Sequence, residues 1–140
     1  RFGILEEVKV ELRLKQLLWE SVQEWDSLHN GWRKSKLQLL DVDQIRSQIM
    51  KYDKYVSQLE EGLPKNSVVS GLKDKMEVTR RTLPVIADLR HLSVDQESWK
   101  TLETVLETSL DVETLTLSFL EEADIISHAK TIQEVTKQLS

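Results

Sequence analysis

Seven apolar residues, Val42, Ile45, Ile49, Tyr52, Val56, Leu59 and Leu63, recur at intervals of 3, 4, 3, 4, 3 and 4. An α-helix turns once in about 3.6 residues, so this alternation lines all seven along one narrow seam, whereas a strand would bury every second residue. A helix carrying such a seam does not stand alone in water; it needs at least one partner helix along it. Asp41 precedes the seam as a candidate cap for the first free amides. Gly62-Leu63-Pro64 follows it, with a glycine able to take the left-handed conformation that closes a helix and a proline that cannot continue one.

Two other stretches can supply the partners. From Ile4 to Lys36 apolar residues fall at Leu5, Val8 and Leu12, then at Leu18, Val22, Trp25 and Trp32, with His29 filling the last interval. Val10, Leu14, Leu17 and Trp19 widen the apolar surface, so the early part of this helix is open to contact from more than one side. Asn30-Gly31 is a weak break that Trp32 argues against, and the helix is expected to run through it. After Asn66 or Ser67 as cap, the third stripe is Val69, Leu72, Met76, Thr79, Leu83 and Ile86. Pro84 lacks an N–H and crowds the preceding turn, which predicts a helix end or kink with Leu83 at the boundary.

Ser93-Val94-Asp95-Gln96 reads as a capping box opening a fourth helix with Trp99, Leu102 and Leu106. Leu110 to Leu115 reads as a loop, Leu117 to Ala123 as a short helix, and His128, Ile132, Val135 and Leu139 as a last stripe. Thr114 to Phe119 is the nearest approach to a strand. The expected fold is all-α, an elongated antiparallel bundle of about five or six helices, forming part of a longer helical rod. Its parts are a long hairpin over 1–62, a third helix with proline-bounded ends over 63–92, and shorter helices over 93–140. The chain starts at Arg1 inside a helical pattern, as a piece of a longer polypeptide would.

Composition narrows the function. Acidic residues (24) exceed basic ones (19) and the two are interspersed, giving a net charge of −5 that favours neither nucleic acid nor an anionic membrane. Without cysteine there is no disulfide framework and no thiolate metal site. No apolar run approaches the roughly 20 residues needed to cross a bilayer.

No catalytic constellation emerges either. Gly3, Gly31, Gly62 and Gly71 form no phosphate-cradling loop. His29, His91 and His128 lie in separate segments and none has a second histidine at helical spacing. Glu6-Glu7, Glu60-Glu61 and Glu121-Glu122 are adjacent pairs, which point to different helix faces and read as solvated surface. Lys73, Lys75, Arg80 and Arg81 form a modest basic cluster, most simply a solvated face and alternatively a contact for an acidic protein surface. Among the four tryptophans, Trp19 lies off the stripe of Leu18, Val22 and Trp25. Trp19, Lys73, Arg80 and Arg81 are therefore the candidate inter-domain contacts, with no catalytic, cofactor or metal residue assigned.

The ordered landmarks Leu18-Trp19, Val22, Trp25, Trp32, Leu40-Asp41, Leu63-Pro64-Lys65-Asn66-Ser67-Val68-Val69, Leu72-Lys73, Leu83-Pro84-Val85-Ile86, Leu89-Arg90 and Trp99 resemble the dynein heavy chain where its tail leads into the linker of the motor. Leu115-Thr116-Leu117 and His128 to Val135 fit more loosely. The opening Phe2-Gly3-Ile4-Leu5-Glu6-Glu7-Val8-Lys9-Val10-Glu11-Leu12-Arg13-Leu14-Lys15-Gln16 looks more like axonemal heavy chains, of the inner-arm kind, than cytoplasmic ones. One departure stands out: where the family usually has Asn-Pro and then His-Trp, this chain has His91-Leu92 and Ser98-Trp99.

The resemblance implies a mechanical role, as a piece of a helical lever that lies across a ring of AAA+ ATPase modules and moves with their nucleotide cycle. ATP and magnesium would bind elsewhere in the same polypeptide. The implied partners are the AAA+ ring, intermediate and light chains, and microtubules, with no nucleic acid and no membrane, in the cytoskeleton of a cilium or flagellum. The competing expectations are a static helical scaffold of the spectrin type, a tail module binding other dynein subunits, and an autonomous helical enzyme.

Overall fold

The structure, a computed structural model, describes residues 3–138 in full and the backbone of Leu139. Phe2, which opens the resemblance, and the side chain of Leu139, expected to close the last stripe, lie outside the described residues. The helices are α1 (Ile4–Lys34), α2 (Val42–Gly62), α3 (Ser67–Ser93), α4 (Gln96–Leu106), α5 (Leu117–Glu122) and α6 (Ala129–Leu139). Short 3-10 turns occupy Leu37–Leu39 and Ile125–His128. Among the described residues the sole extended pairing is an antiparallel bridge between Lys36 and Thr116. The chain is all-α, and the Thr114 to Phe119 stretch becomes that bridge and the start of α5. The chain divides into two compact units, Arg1–His29 with Asp43–Thr79 and Asn30–Val42 with Arg80–Ser140.

In the first unit the seam of α2 does what its spacing demands. Ile45, Ile49, Tyr52, Val56, Leu59 and Leu63 are all buried, together with Leu18 and Trp25 of α1 and Val69, Leu72 and Met76 of α3. Burial of each such side chain contributes about 1.5–3 kcal/mol. Glu24 lies beside Tyr52, and Leu14 beside Gly62, so α1 and α2 run antiparallel. Lys73 beside Glu60 sets α3 antiparallel to α2 in turn. Trp25 meets the Tyr52 ring edge-on, with centroids 5.8 Å apart and planes at 80°, the arrangement their quadrupoles favour.

Gly62 does not take the left-handed conformation expected of it; no described glycine has positive φ. It is the last helical residue of α2, and a Cβ there would collide with the Leu14 side chain. The missing side chain leaves room for the end of the Leu14 side chain, and no turn depends on it. Asn66 is the cap of α3: its Oδ1 accepts from the Val69 amide at 3.0 Å and its Nδ2 donates to the Pro64 carbonyl at 3.1 Å.

In the second unit α3 passes through Pro84 without ending at Leu83 and stops only at Ser93. This corrects the expected boundary. Pro84 itself is exposed, while Thr82, Leu83, Val85, Ile86 and Leu89 around it are buried. Burial on both sides of the proline outweighs the one lost backbone bond and the local crowding. Leu92 is also buried, and with its N–H available α3 continues through it to Ser93.

The expected capping box does not form. Ser93 is still helical and its hydroxyl donates to the Arg90 carbonyl at 2.7 Å. Asp95 caps α4 instead, accepting from the Glu97 amide at 3.3 Å and from the Ser98 hydroxyl at 2.8 Å. The loop after α4 is pinned by two bonds, Trp99 Nε1 to the Leu110 carbonyl and the Leu110 amide to a Glu103 carboxylate oxygen, each 2.8 Å. Thr116 caps α5 through the Phe119 amide at 3.2 Å. Leu102, Leu110, Leu115, Leu117, Leu120, Ile125, Ile132 and Val135 are buried in this unit. His128 is exposed and sits in the 3-10 turn before α6, off the stripe it was expected to begin.

Candidate interaction surface on the first helix

Buried polar groups in a catalytic cleft would be the first sign of chemistry. Among the described residues Ser21 Oγ is buried without a hydrogen-bond partner, whereas the buried Tyr52 hydroxyl has one. Tyr52 Oη donates to Glu24 Oε2 at 2.5 Å. Burial, then the hydrogen bond and charge of Glu24, hold the phenol far above its ordinary pKa, so it stays protonated and donating. Burial raises the Asp88 carboxyl, partly offset by the positive field of His91. The Ser98 hydroxyl holds Asp95 below the usual carboxylate value. Among the described residues no group of three or more His, Asp or Glu converges as a metal site. No described helix is long and apolar enough to cross a membrane.

What the structure does offer is surface, chiefly on α1. Its core face carries Leu14, Leu18, Trp25 and, in the second unit, Trp32. Leu5, Val8, Leu12 and Trp19 lie on another face, at intervals of 3, 4 and 7. Their relative exposures are 65%, 41%, 60% and 57%. The single stripe expected from Leu5 through Trp25 is therefore two: Trp19, not Leu18, continues the line of Leu5, Val8 and Leu12. Because a 3-4 alternation can be entered at either of two neighbouring residues, the sequence alone joined the wrong halves. Trp25, Trp32 and Trp99 are core residues.

The other candidate contacts are less available. Lys73 Nζ lies 3.3 Å from Glu60, and Lys75 Nζ 3.1 Å from Asp26. Arg80 and Arg81 are exposed on α3 in the second unit, and neither is a free cation. The residues that sequence reasoning missed are those joined across long separations. Arg33 pairs with Glu121 at 3.1 Å and Glu122 at 3.7 Å, and Arg90 binds the backbone of the Leu37–Leu40 segment. Neither arginine belongs to an apolar stripe, so no periodicity would have announced its partner.

The described residues thus form a helical piece with an exposed apolar seam on its first helix. Residues 5–139 match the family model described as dynein heavy chain, N-terminal region 2. The chain belongs to the dynein heavy chain family. It is 46% identical to human dynein axonemal heavy chain 6 over 142 aligned residues, covering all of this chain and 3% of that protein. It is 26% identical to the Chlamydomonas reinhardtii dynein-1-beta heavy chain of the flagellar inner arm I1 complex over 129 residues, 88% of this chain and 3% of that one. To human dynein axonemal heavy chain 2 it is 24% identical over 144 residues, with 97% and 3% covered. The chain thus spans about 3% of the length of these relatives.

Proposed function

We propose that this segment is a mechanical linker element of a dynein motor heavy chain. It moves with the ATP cycle of an AAA+ ring located elsewhere in the same polypeptide and so drives microtubule-based ciliary motility. The observation that carries the reading is the family match over residues 5–139. The relatives' names place them in axonemes and, for one, in a flagellar inner arm, which supports a ciliary location for this heavy chain too. ATP and magnesium act at the ring, and microtubules and the intermediate and light chains engage other parts of the polypeptide.

The mechanics fit. A continuous helix of 31 residues, α1, is about 46 Å of stiff rod at 1.5 Å per residue. Close-packed helices transmit displacement because their interiors are hardly compressible. In this role Trp19, Lys73, Arg80 and Arg81 serve as contacts to other domains. The Lys73–Glu60 pair is exposed and such pairs contribute about 0–1 kcal/mol, so an acidic docking surface can displace Glu60 at little cost.

The test uses the full heavy chain with one fluorophore at exposed Val94 and another on the ring. Energy transfer between them should change reproducibly as the motor is moved from the nucleotide-free to the ATP-bound state. A signal that stays constant while the ring hydrolyses ATP overturns the proposal in favour of a static scaffold.

A further inference from the structure

Trp19, proposed above as a contact to another domain, stands in one exposed seam with Leu5, Val8 and Leu12, which the fold of this segment leaves open. It runs over fifteen residues of α1, about 21 Å from end to end. Lys15 occupies its remaining position, between Leu12 and Trp19, and pairs with Glu11 at 3.1 Å. Apolar residues at 3-4 spacing with one cation among them are the pattern of a helix-packing seam whose register is set by the single charged position. A solvated helix face has no use for three large aliphatic residues and a tryptophan in line.

We infer that this face seats another helix of the same heavy chain, contributed by the stretch of polypeptide N-terminal to α1. Two considerations select that occupant. The first is area: three aliphatic side chains and one tryptophan offer on the order of 500 Å², short of the about 800 Å² per partner that stable association of separate molecules requires. A second copy or a free subunit would bind such a strip weakly, whereas a segment of the same polypeptide meets it at an effective concentration of about millimolar or above. The second is supply and proximity. The chain is about 3% of the length of its relatives, and the matching family is a second N-terminal region. The seam starts within the first turn of α1, where a helix joined by a short loop would fold back antiparallel. The flanks offer no net attraction to steer a different partner, since Lys9 and Lys15 are already matched by Glu6 and Glu11.

The inference rests on family membership and stands whether or not the segment moves. It is tested in the full heavy chain by placing photo-reactive benzoylphenylalanine at Trp19, at Leu12 and, as a control, at Met50, an exposed residue of α2. The expected result is an intramolecular adduct from positions 12 and 19 to sequence upstream of α1, at least tenfold above the yield of that adduct from position 50. Hydrogen exchange gives an independent readout: Leu12→Glu with Trp19→Glu should raise exchange over residues 4–20 at least tenfold, and Met50→Glu should not. An adduct to a second heavy chain, to another subunit or to a different part of the same chain, or no adduct above control, overturns the inference. So does unchanged exchange in the double variant.

Discussion

Arg90 donates to the carbonyl oxygen of Leu37, 53 residues earlier, through both Nε at 3.0 Å and a terminal nitrogen at 2.8 Å, and reaches the Leu40 carbonyl as well. The segment between α1 and α2 is a 3-10 turn whose carbonyls have few helical partners. The planar fork of one guanidinium satisfies two of them while Leu37 and Leu40 are buried. Replacing Arg90 by methionine keeps the aliphatic packing, removes the side-chain donor of both carbonyls and leaves that of Leu37 only the long bond from the Leu40 amide at 3.4 Å. The expected loss is about 2–3 kcal/mol, read as a lower denaturation midpoint at unchanged slope. Arg90→Lys should recover less than half of it, because an ammonium cannot reproduce the fork. Full recovery by lysine would show that charge alone matters.

Tyr52→Phe should destabilise the first unit by about 1–2 kcal/mol, as the Glu24 carboxylate loses a charge-assisted partner in a partly buried position. The ring packing against Trp25 survives the change, so in a protein whose other three tryptophans are replaced by phenylalanine the folded-state Trp25 emission should keep its maximum while the unfolding midpoint falls. A shifted folded spectrum would mean that the hydroxyl positions the ring as well.

Pro84→Ala bears on the helix that continues through a proline. Proline within a helix is less favourable than alanine by about 3 kcal/mol, and the exposed side chain at this position contributes little burial in return. Alanine restores a donor for the carbonyl of Arg80 and should raise stability by about 1–3 kcal/mol. Chemical denaturation measures it directly. A less stable Pro84→Ala protein would mean that the fold requires the proline itself at this position.

Two carboxylates make opposite predictions with pH. Asp88 has a raised pKa, chiefly from burial, so its contribution to stability is present below the ordinary carboxylate value and is lost as pH rises through its folded value. Asp88→Asn should therefore stabilise the protein at neutral pH and make little difference below about pH 3. Asp95 has a lowered pKa, chiefly from the Ser98 hydroxyl. Its contribution is present above the ordinary value and fades as pH falls through the folded one, so Asp95→Asn should cost stability at neutral pH and progressively less in acid. Urea midpoints of the two variants across this range should diverge in opposite directions from the parent; parallel curves would overturn the assignment of both environments.

Which residues are core in α2 and α3 was legible in the sequence, because a strict 3-4 alternation admits one helical face and a buried face must be covered. The all-α class, the uninterrupted α1 through Gly31 and the Asn66 cap follow from the same local physics. The family resemblance was legible too, being carried by ordered residues. Tertiary structure alone decided the rest. It carried α3 past Pro84, since buried neighbours on both sides outweigh one missing hydrogen bond. It moved the α4 cap from Ser93 to Asp95 because burial of Leu92 kept α3 helical to its end. It split the apolar surface of α1 into a covered face and an open one. Local sequence specifies which face of a helix is apolar; only the placement of the other helices decides which apolar face is covered.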